Sequence, residues 1–172
     1  MKNKSIVFYY TWAGHTQRVA ERIGEQVKGE IREIRSKTPY TKDYDMAVGQ
    51  AMQEIRDGYL PPIEAIDWDV ADYDVIYIGT PIWCGTMAPP VATFLSEHAL
   101  AGKTIMPFTT HGGGGKGHLD VDIANMCKDA TVRDTYVVYE GGVQTEDVAE
   151  WIERNNLTVE EAIEEKAEQA MK

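Results

Sequence analysis

The sequence is poor in cysteine and in positive charge. Its two cysteines, Cys84 and Cys127, lie far apart and form no CxxC motif, which disfavours both a disulfide framework and a zinc site. Its 17 Lys and Arg residues are outnumbered by 28 Asp and Glu residues, giving a formal net charge of −11. Nucleic-acid binding is not expected, because it requires a basic surface. The acidic surface suits basic partner proteins, or it is a solvated face that keeps the protein soluble.

Long apolar runs are also missing. The first run, residues 6–10, is shorter than the apolar region of a signal peptide, and no run reaches the length of a transmembrane helix. We therefore expect a cytoplasmic protein with reduced thiols and no membrane association. A chain of 172 residues is expected to form one domain, 1–172, with one sizeable core.

Strand and helix patterns alternate along the chain. Apolar runs predict strands at residues 6–10, 75–78, 103–110 and 135–140, and an imperfect alternation of Ile31 and Ile34 predicts a short fifth strand at residues 30–35. Amphipathic spacing predicts helices at residues 16–28, 44–57, 119–128, 144–155 and 158–172, and one more that begins near residues 86–90. Strands separated by helices imply a parallel sheet with right-handed crossovers, on which ligands bind beyond the carboxyl ends of the strands.

Glycine, threonine and proline set the predicted ends of these elements. We expect Gly29 to end the first helix and Gly79 to end the third strand. Thr86 is expected to cap a helix whose first turn carries Pro89 and Pro90, since first-turn N–H groups have no partner within a helix.

Residues 11–16, after the first strand, have the composition of a phosphate site that uses neither Lys nor Arg. The start of the following helix presents free backbone N–H groups, and the helix dipole favours negative charge there. Thr11 and Thr16 can add hydroxyl donors, and Gly14 allows a ligand to approach the backbone closely. An ordinary helix cap uses the same residues, so this motif alone leaves both interpretations open.

Residues 80–86 form the second unusual loop. Trp83 lies there between Pro81 and Gly85, directly after a buried strand. A large aromatic side chain on a loop is expected to cover something, and a flat aromatic ligand is a natural partner through stacking. The alternative is that Trp83 packs back onto the core or lies at a subunit interface.

Residues 109–117 form the third loop and carry a glycine tract. It is not a nucleotide P-loop, because Lys116 is followed by Gly117 rather than by Ser or Thr. His111 and His118 have no carboxylate partner in this tract, so we expect loop histidines rather than a metal site.

Together the three loops resemble those of the flavodoxin family of FMN-binding proteins. The family's first loop reads Tyr-Ser-x-x-Gly-Asn-Thr and its second reads Gly-x-Pro-x-Trp-Trp-Gly-Thr-Met-Pro-Pro; the counterparts here are residues 10–16 and 79–90. Residues 39–45 resemble the family's Pro-Tyr-x-x-Asp-Tyr stretch, and residues 72–74 its Asp-Tyr-Asp. The resemblance covers about residues 4–155, which we take as the domain core.

The resemblance implies a flavodoxin-like three-layer doubly wound α/β fold, with a five-stranded parallel sheet of order 2-1-3-4-5 and noncovalently bound FMN. It implies that the first loop holds the phosphate, that the second lies along the isoalloxazine ring, and that the third closes the other side. The implied cofactor-binding residues are Thr11, Trp12, Ala13, Gly14, His15, Thr16, Thr80, Pro81, Ile82, Trp83, Cys84, Gly85, Thr110, His111, Gly112 and Gly113. No catalytic or metal-binding residue is implied.

The sequence departs from the family pattern at two positions. His15 replaces the usual Asn, where it either binds the phosphate or caps the helix. Cys84 replaces a second aromatic residue, and we expect a small packed thiol rather than a catalytic one, because the sequence supplies no adjacent activating base.

The implied function is electron transfer by an FMN protein that exchanges electrons with redox partner proteins. The surplus of carboxylates would disfavour added negative charge and lower the potential of the reduced flavin anion. The alternative is an NAD(P)H-dependent quinone, nitro or azo reductase on the same fold. A phosphorylated receiver would need clustered carboxylates after the first strand, which ends at Tyr10 and Thr11. A flavin-free structural module, and the choice between monomer and homodimer, stay open.

Overall fold

A parallel β-sheet with helices on both faces forms the fold of the protein. The structure is a computed structural model, and it describes residues 4–140, 146–155 and 171. The strands are β1 (Ser5–Tyr9), β2 (Glu30–Glu33), β3 (Val75–Trp83), β4 (Thr86–Met87), β5 (Thr104–His111), β6 (Thr131–Val132) and β7 (Tyr136–Tyr139). The helices are α1 (His15–Val27), α2 (Tyr44–Asp57), α3 (Pro89–Glu97), α4 (Leu119–Met126) and α5 (Val148–Asn155).

The strand order confirms the doubly wound topology. The sheet runs β2-β1-β3-β5, and both β6 and β7 pair in parallel with β5, which corresponds to the predicted order 2-1-3-4-5. The fifth position is thus filled by two short strands rather than one. Pro107 of β5 lies opposite the gap between them, and it has no N–H to donate to a neighbouring strand. This missing donor explains the interruption, which the apolar pattern does not reveal.

Two cores lie on opposite faces of the sheet, because successive side chains of a strand point to opposite sides. Ile6 and Phe8 of β1 point into a core covered by α2, α3 and α4, where the rings of Phe8 and Phe94 lie 4.5 Å apart. Val7 and Tyr9 point into the other core, which is covered by α1 and α5. Within the described residues no helix is both long and apolar enough to span a membrane.

The third strand is longer than predicted, and Gly79 does not end it. β3 continues to Trp83, because Thr80 pairs with Thr109 of β5 and the last two residues pair with β4. Gly79 is instead required for packing, because a side-chain carbon at this position would overlap the ring of Phe108. Residues that were expected to form a loop are therefore held in a strand and a tight hairpin.

Two helix ends also differ from the expected ones. Thr86 lies in β4 and does not cap α3; the cap position is Ala88, and Pro89 and Pro90 occupy the first turn as predicted. The left-handed residue that ends α1 is Lys28 rather than Gly29. The helix predicted over 158–172 lies outside the described residues except for residue 171, and the first two residues of the one predicted over 144–155 also lie outside them.

Replacing Gly79 with alanine is expected to lower the free energy of unfolding by about 1–3 kcal/mol, because the added methyl group overpacks against Phe108. Gly49 in α2 is the matched control. A side chain there would meet open space, and alanine is expected to raise the free energy of unfolding by about 0.5–1 kcal/mol. Urea denaturation measures both changes, and equal effects of the two substitutions would contradict the proposed packing.

Candidate functional site

The ends of β1, β3, β5 and β7 meet at one cavity of about 330 Å³, which we term the switch-point cavity. It lies where the order of the sheet reverses between β1 and β3, the usual ligand site of such sheets. It is lined by Thr11, Trp12, Ala13, His15, Thr16, Tyr44, Pro81, Ile82, Trp83, Thr110, His111, Gly112 and Glu140. The structure therefore brings together residues from all three loops that the sequence singles out.

The start of α1 forms one wall of this cavity. Gly14 occupies the cap position with φ 96°, and among the described residues no side chain caps the helix. The hydroxyl of Thr11 accepts a hydrogen bond from the backbone N–H of Gly14 at 2.9 Å, and this bond fixes the turn. The first helical turn carries no acidic residue. Its free N–H groups are therefore available to an anion in the cavity.

A buried pair of hydroxyl groups ties this helix to β5. The hydroxyls of Thr16 and Thr110 lie 2.8 Å apart, and both side chains are almost completely buried. Thr80 plays a related structural part, since its hydroxyl accepts a hydrogen bond from the N–H of Ala88 and donates one to the carbonyl of Pro81. Thr80 is fully buried and does not line the cavity, so its contact with a ligand stays a prediction from the sequence.

Trp83 packs into the core, which is one of the alternatives that the sequence leaves open for this side chain. Its side chain is 4% exposed, and its ring meets those of Tyr10, Tyr40 and Trp12 edge to face, with centroids 5.1–6.4 Å apart. Part of the residue still contributes to the cavity wall. The indole therefore forms part of the buried wall of the cavity and does not lie exposed over it.

Cys84 and Gly85 form the tight turn between β3 and β4. Both adopt left-handed backbone angles, with φ 55° and 79°, as a two-residue hairpin turn requires. Cys84 is exposed and lies outside the cavity lining, and its Sγ is 4.0 Å from the carbonyl oxygen of Val48. Partial burial raises the pKa of the Cys84 thiol, which opposes formation of a nucleophilic thiolate. The expectation of a packed thiol at this position is therefore wrong, because the hairpin turn places the side chain at the surface.

The glycine tract after β5 folds against this hairpin. The backbone of Gly117 packs so closely on Gly85 that a side chain at Gly117 would overlap its carbonyl, and the N–H of His118 donates to that carbonyl at 2.7 Å. Nδ1 of His111 accepts hydrogen bonds from the N–H groups of Gly113 and Gly115, at 3.1 and 3.0 Å. Gly113 is thus used within the loop and does not line the cavity. In the described part of the chain, no three His, Cys, Asp or Glu residues lie close enough together to hold a metal ion.

Sequence reasoning missed two lining residues, Tyr44 and Glu140. A carboxylate oxygen of Glu140 lies 3.9 Å from Nε2 of His15, so the cavity mouth carries a negative group beside the helix start. Glu140 follows the last strand of the sheet, and this position is itself a signal, because its carboxyl end borders the ligand site. Tyr44 belongs to residues 39–45, which resemble the Pro-Tyr-x-x-Asp-Tyr stretch of the family but carry no sign of ligand contact in the sequence itself.

A family model for flavodoxin matches residues 4–155. The chain belongs to the flavodoxin family. A flavoprotein of Lactobacillus acidophilus, solved in complex with FMN, is 26% identical to this flavodoxin-family chain, with a TM-score of 0.71 over 79% of this chain and 93% of that one. A candidate flavoprotein of Bacteroides eggerthii is 27% identical, with a TM-score of 0.80 over 91% of this chain and 100% of that one.

One curated relative carries the name of an enzyme. The NAD(P)H dehydrogenase (quinone) of Caulobacter vibrioides is 32% identical to this flavodoxin-family chain over 123 residues. The match covers 64% of this chain and 59% of the relative, so the chain spans about three fifths of that protein.

The residues of this flavodoxin-family site fit FMN by their chemistry. A phosphate needs hydrogen-bond donors, and the uncapped start of α1 supplies them with open space at Gly14. A flat ring system needs apolar and aromatic walls, which Ile82, Trp83 and Tyr44 supply. The cavity has the size range typical of small-molecule sites.

Replacing Thr16 with valine is expected to lower the free energy of unfolding by about 1–3 kcal/mol, because the buried hydroxyl of Thr110 loses its partner. Replacing both threonines with valine removes both hydroxyls at once and is expected to recover most of this loss. Denaturant unfolding of the two single variants and the double variant gives the coupling energy. Additive losses in the double variant would show that the two hydroxyls do not form the bond described.

Proposed function

We propose that this flavodoxin-family chain binds FMN noncovalently in the switch-point cavity and transfers electrons between redox partner proteins in the cytoplasm. The observation that supports this most strongly is the uncapped N-terminus of α1, which faces a cavity at the switch point of the sheet. The Lactobacillus flavoprotein, whose structure contains FMN, supports the same assignment through fold and sequence.

The phosphate would lie at the start of α1. The first-turn N–H groups point there, and the positive end of the helix dipole adds to their attraction. The oxygen of Thr11 already accepts from Gly14, so its O–H is free to donate to a phosphate oxygen. The Thr16–Thr110 pair keeps the helix start at a fixed distance from β5. Because these groups are positioned before binding, little ordering is needed when the phosphate arrives.

The isoalloxazine ring would lie between the end of β3 and the glycine tract. Pro81, Ile82 and Trp83 form one side, and His111 and Gly112 form the other. The imidazole of His111 is held in place by two backbone N–H groups and stacks on Tyr139 at a centroid distance of 5.3 Å. The bound flavin would supply the redox chemistry, and the protein supplies orientation and electrostatics.

The charge of the chain favours basic redox partners. The net charge of −11 gives a surface that attracts positively charged proteins, with an effect that weakens as salt is added. Near the cavity, the carboxylate of Glu140 opposes the addition of negative charge. We therefore expect a low reduction potential for the step that forms the anionic reduced flavin.

Adding FMN to the apoprotein is expected to quench the flavin fluorescence. Thr11→Val is expected to weaken FMN binding at least about 10-fold, because the hydrogen bond from the Thr11 hydroxyl to the charged phosphate is lost. Thr38→Val is the control, because Thr38 is an exposed threonine outside the cavity. Fluorescence titration gives the Kd of each variant. The proposal fails if the flavin is not quenched, or if both variants bind FMN as well as the original protein.

A second candidate function is NAD(P)H-dependent reduction of a quinone, as the name of the Caulobacter relative suggests. At Cys84, a small exposed side chain stands where the family pattern has an aromatic ring, which leaves the outer side of the hairpin after β3 more open. An electron carrier is expected to show only slow oxidation of NADH or NADPH when a quinone is present. Rapid, saturable oxidation would instead favour the reductase.

A further inference from the structure

A second cavity of about 450 Å³ lies on the other side of Trp12, at the carboxyl ends of β1 and β2; we term it the β2-side cavity. Among their lining residues, the two cavities share Thr11 and Trp12. The indole N–H of Trp12 donates to the carbonyl of Thr41 at 3.0 Å, and its ring contacts Tyr44 edge to face. Trp12 is thus a fixed partition between the two cavities.

The inner wall of the β2-side cavity is aromatic and carries a hydroxyl group without a partner. Tyr40 and Tyr10 are both about nine-tenths buried or more. The hydroxyl of Tyr40 donates to Glu54, whereas that of Tyr10 forms no hydrogen bond within the described part of the chain. Burial, followed by the carboxylates of Glu54 and Glu33, raises the pKa of Tyr10 above its usual value, so this hydroxyl stays protonated. A ligand atom that accepts a hydrogen bond would satisfy it.

Charges at the rim indicate a neutral ligand. The guanidinium of Arg35 is paired with Glu33 at 2.9 Å, so it is not a free anion site. Lys42 and Glu64 also line the cavity, and neither forms an ion pair within the described residues. These four charges sum to zero, which favours neither an anion nor a cation. Lys42 adds a donor at the rim, whereas the exposed carboxylate of Glu64 is an acceptor that water can satisfy. The cavity thus offers the donors of Tyr10 and Lys42 to an aromatic molecule with acceptor oxygens.

We propose that the β2-side cavity binds a neutral quinone, with one carbonyl oxygen accepting a hydrogen bond from Tyr10 and the ring packed against the aromatic wall. A second carbonyl can accept from Lys42 at the rim. Quinones match this cavity because they are flat, uncharged and rich in acceptors but not in donors. The site goes beyond the proposed FMN function, and binding there does not rest on it, since the aromatic wall and both donors lie outside the switch-point cavity.

The test is calorimetric titration of the full chain with tetramethyl-1,4-benzoquinone, whose fully substituted ring resists addition of the thiols of Cys84 and Cys127. Binding is expected with and without FMN, at a similar Kd. Tyr10→Phe keeps the ring and removes the hydroxyl, and is expected to weaken quinone binding about 3- to 10-fold. Lys42→Ala is expected to weaken it by a similar factor, while Lys37→Ala, at an exposed lysine outside the cavity, leaves it unchanged.

Three results would overturn the proposal: a Kd weaker than about 1 mM, the upper end of usual substrate affinities; competition between the quinone and FMN; and an unchanged Kd in both Tyr10→Phe and Lys42→Ala. Lys42 is exposed, so its variant keeps the test valid if Tyr10→Phe folds poorly. Fluorescence titration with FMN, run on the same samples, separates the two claims. FMN binding without quinone binding contradicts only this site, and the reverse contradicts only the proposed function.

Discussion

The uncapped start of α1 is the feature on which the site depends. A helix that begins without a side-chain cap leaves its first N–H groups unsatisfied unless water or a ligand binds them. Here Gly14 adopts a left-handed angle that turns the chain from β1 into the helix, and the hydroxyl of Thr11 fixes that turn. The Thr16–Thr110 bond then sets the distance from α1 to β5. The proposed phosphate site, the cavity and the packing of α1 against β5 therefore all depend on the first turn of one helix.

An aromatic cluster connects this site to the larger core. Trp83 lies at its centre, and Tyr10, Tyr40 and Trp12 surround it edge to face. These rings pack against one another, and the hydroxyl of Tyr40 donates a hydrogen bond to Glu54, so one packed cluster contributes to the walls of both cavities.

Much of the fold could be predicted from the sequence, because the central strands are apolar runs and the helices have an amphipathic period, but the two-residue strands β4 and β6 give no such signal. The predicted helix at 44–57 agrees residue for residue with α2. Local signals failed where tertiary contacts decide: Gly79 is required by the ring of Phe108, and Thr86 is held by pairing with β3. Two of the predicted site residues, Thr80 and Gly113, do not line the cavity, and their polar groups bond within the protein. The position of Glu140 after β7 is visible in the sequence, but its approach to His15 depends on how α1 packs beside that strand end.

The comparison of FMN with riboflavin tests the central claim most directly, since the two ligands differ only in the phosphate. If the start of α1 binds that phosphate, fluorescence titration should give a Kd for riboflavin at least about 10-fold weaker than that for FMN. Added inorganic phosphate should weaken FMN binding and leave riboflavin binding unchanged or improved. Equal affinities for the two flavins would contradict the account, because they would show that the helix start contributes nothing to binding.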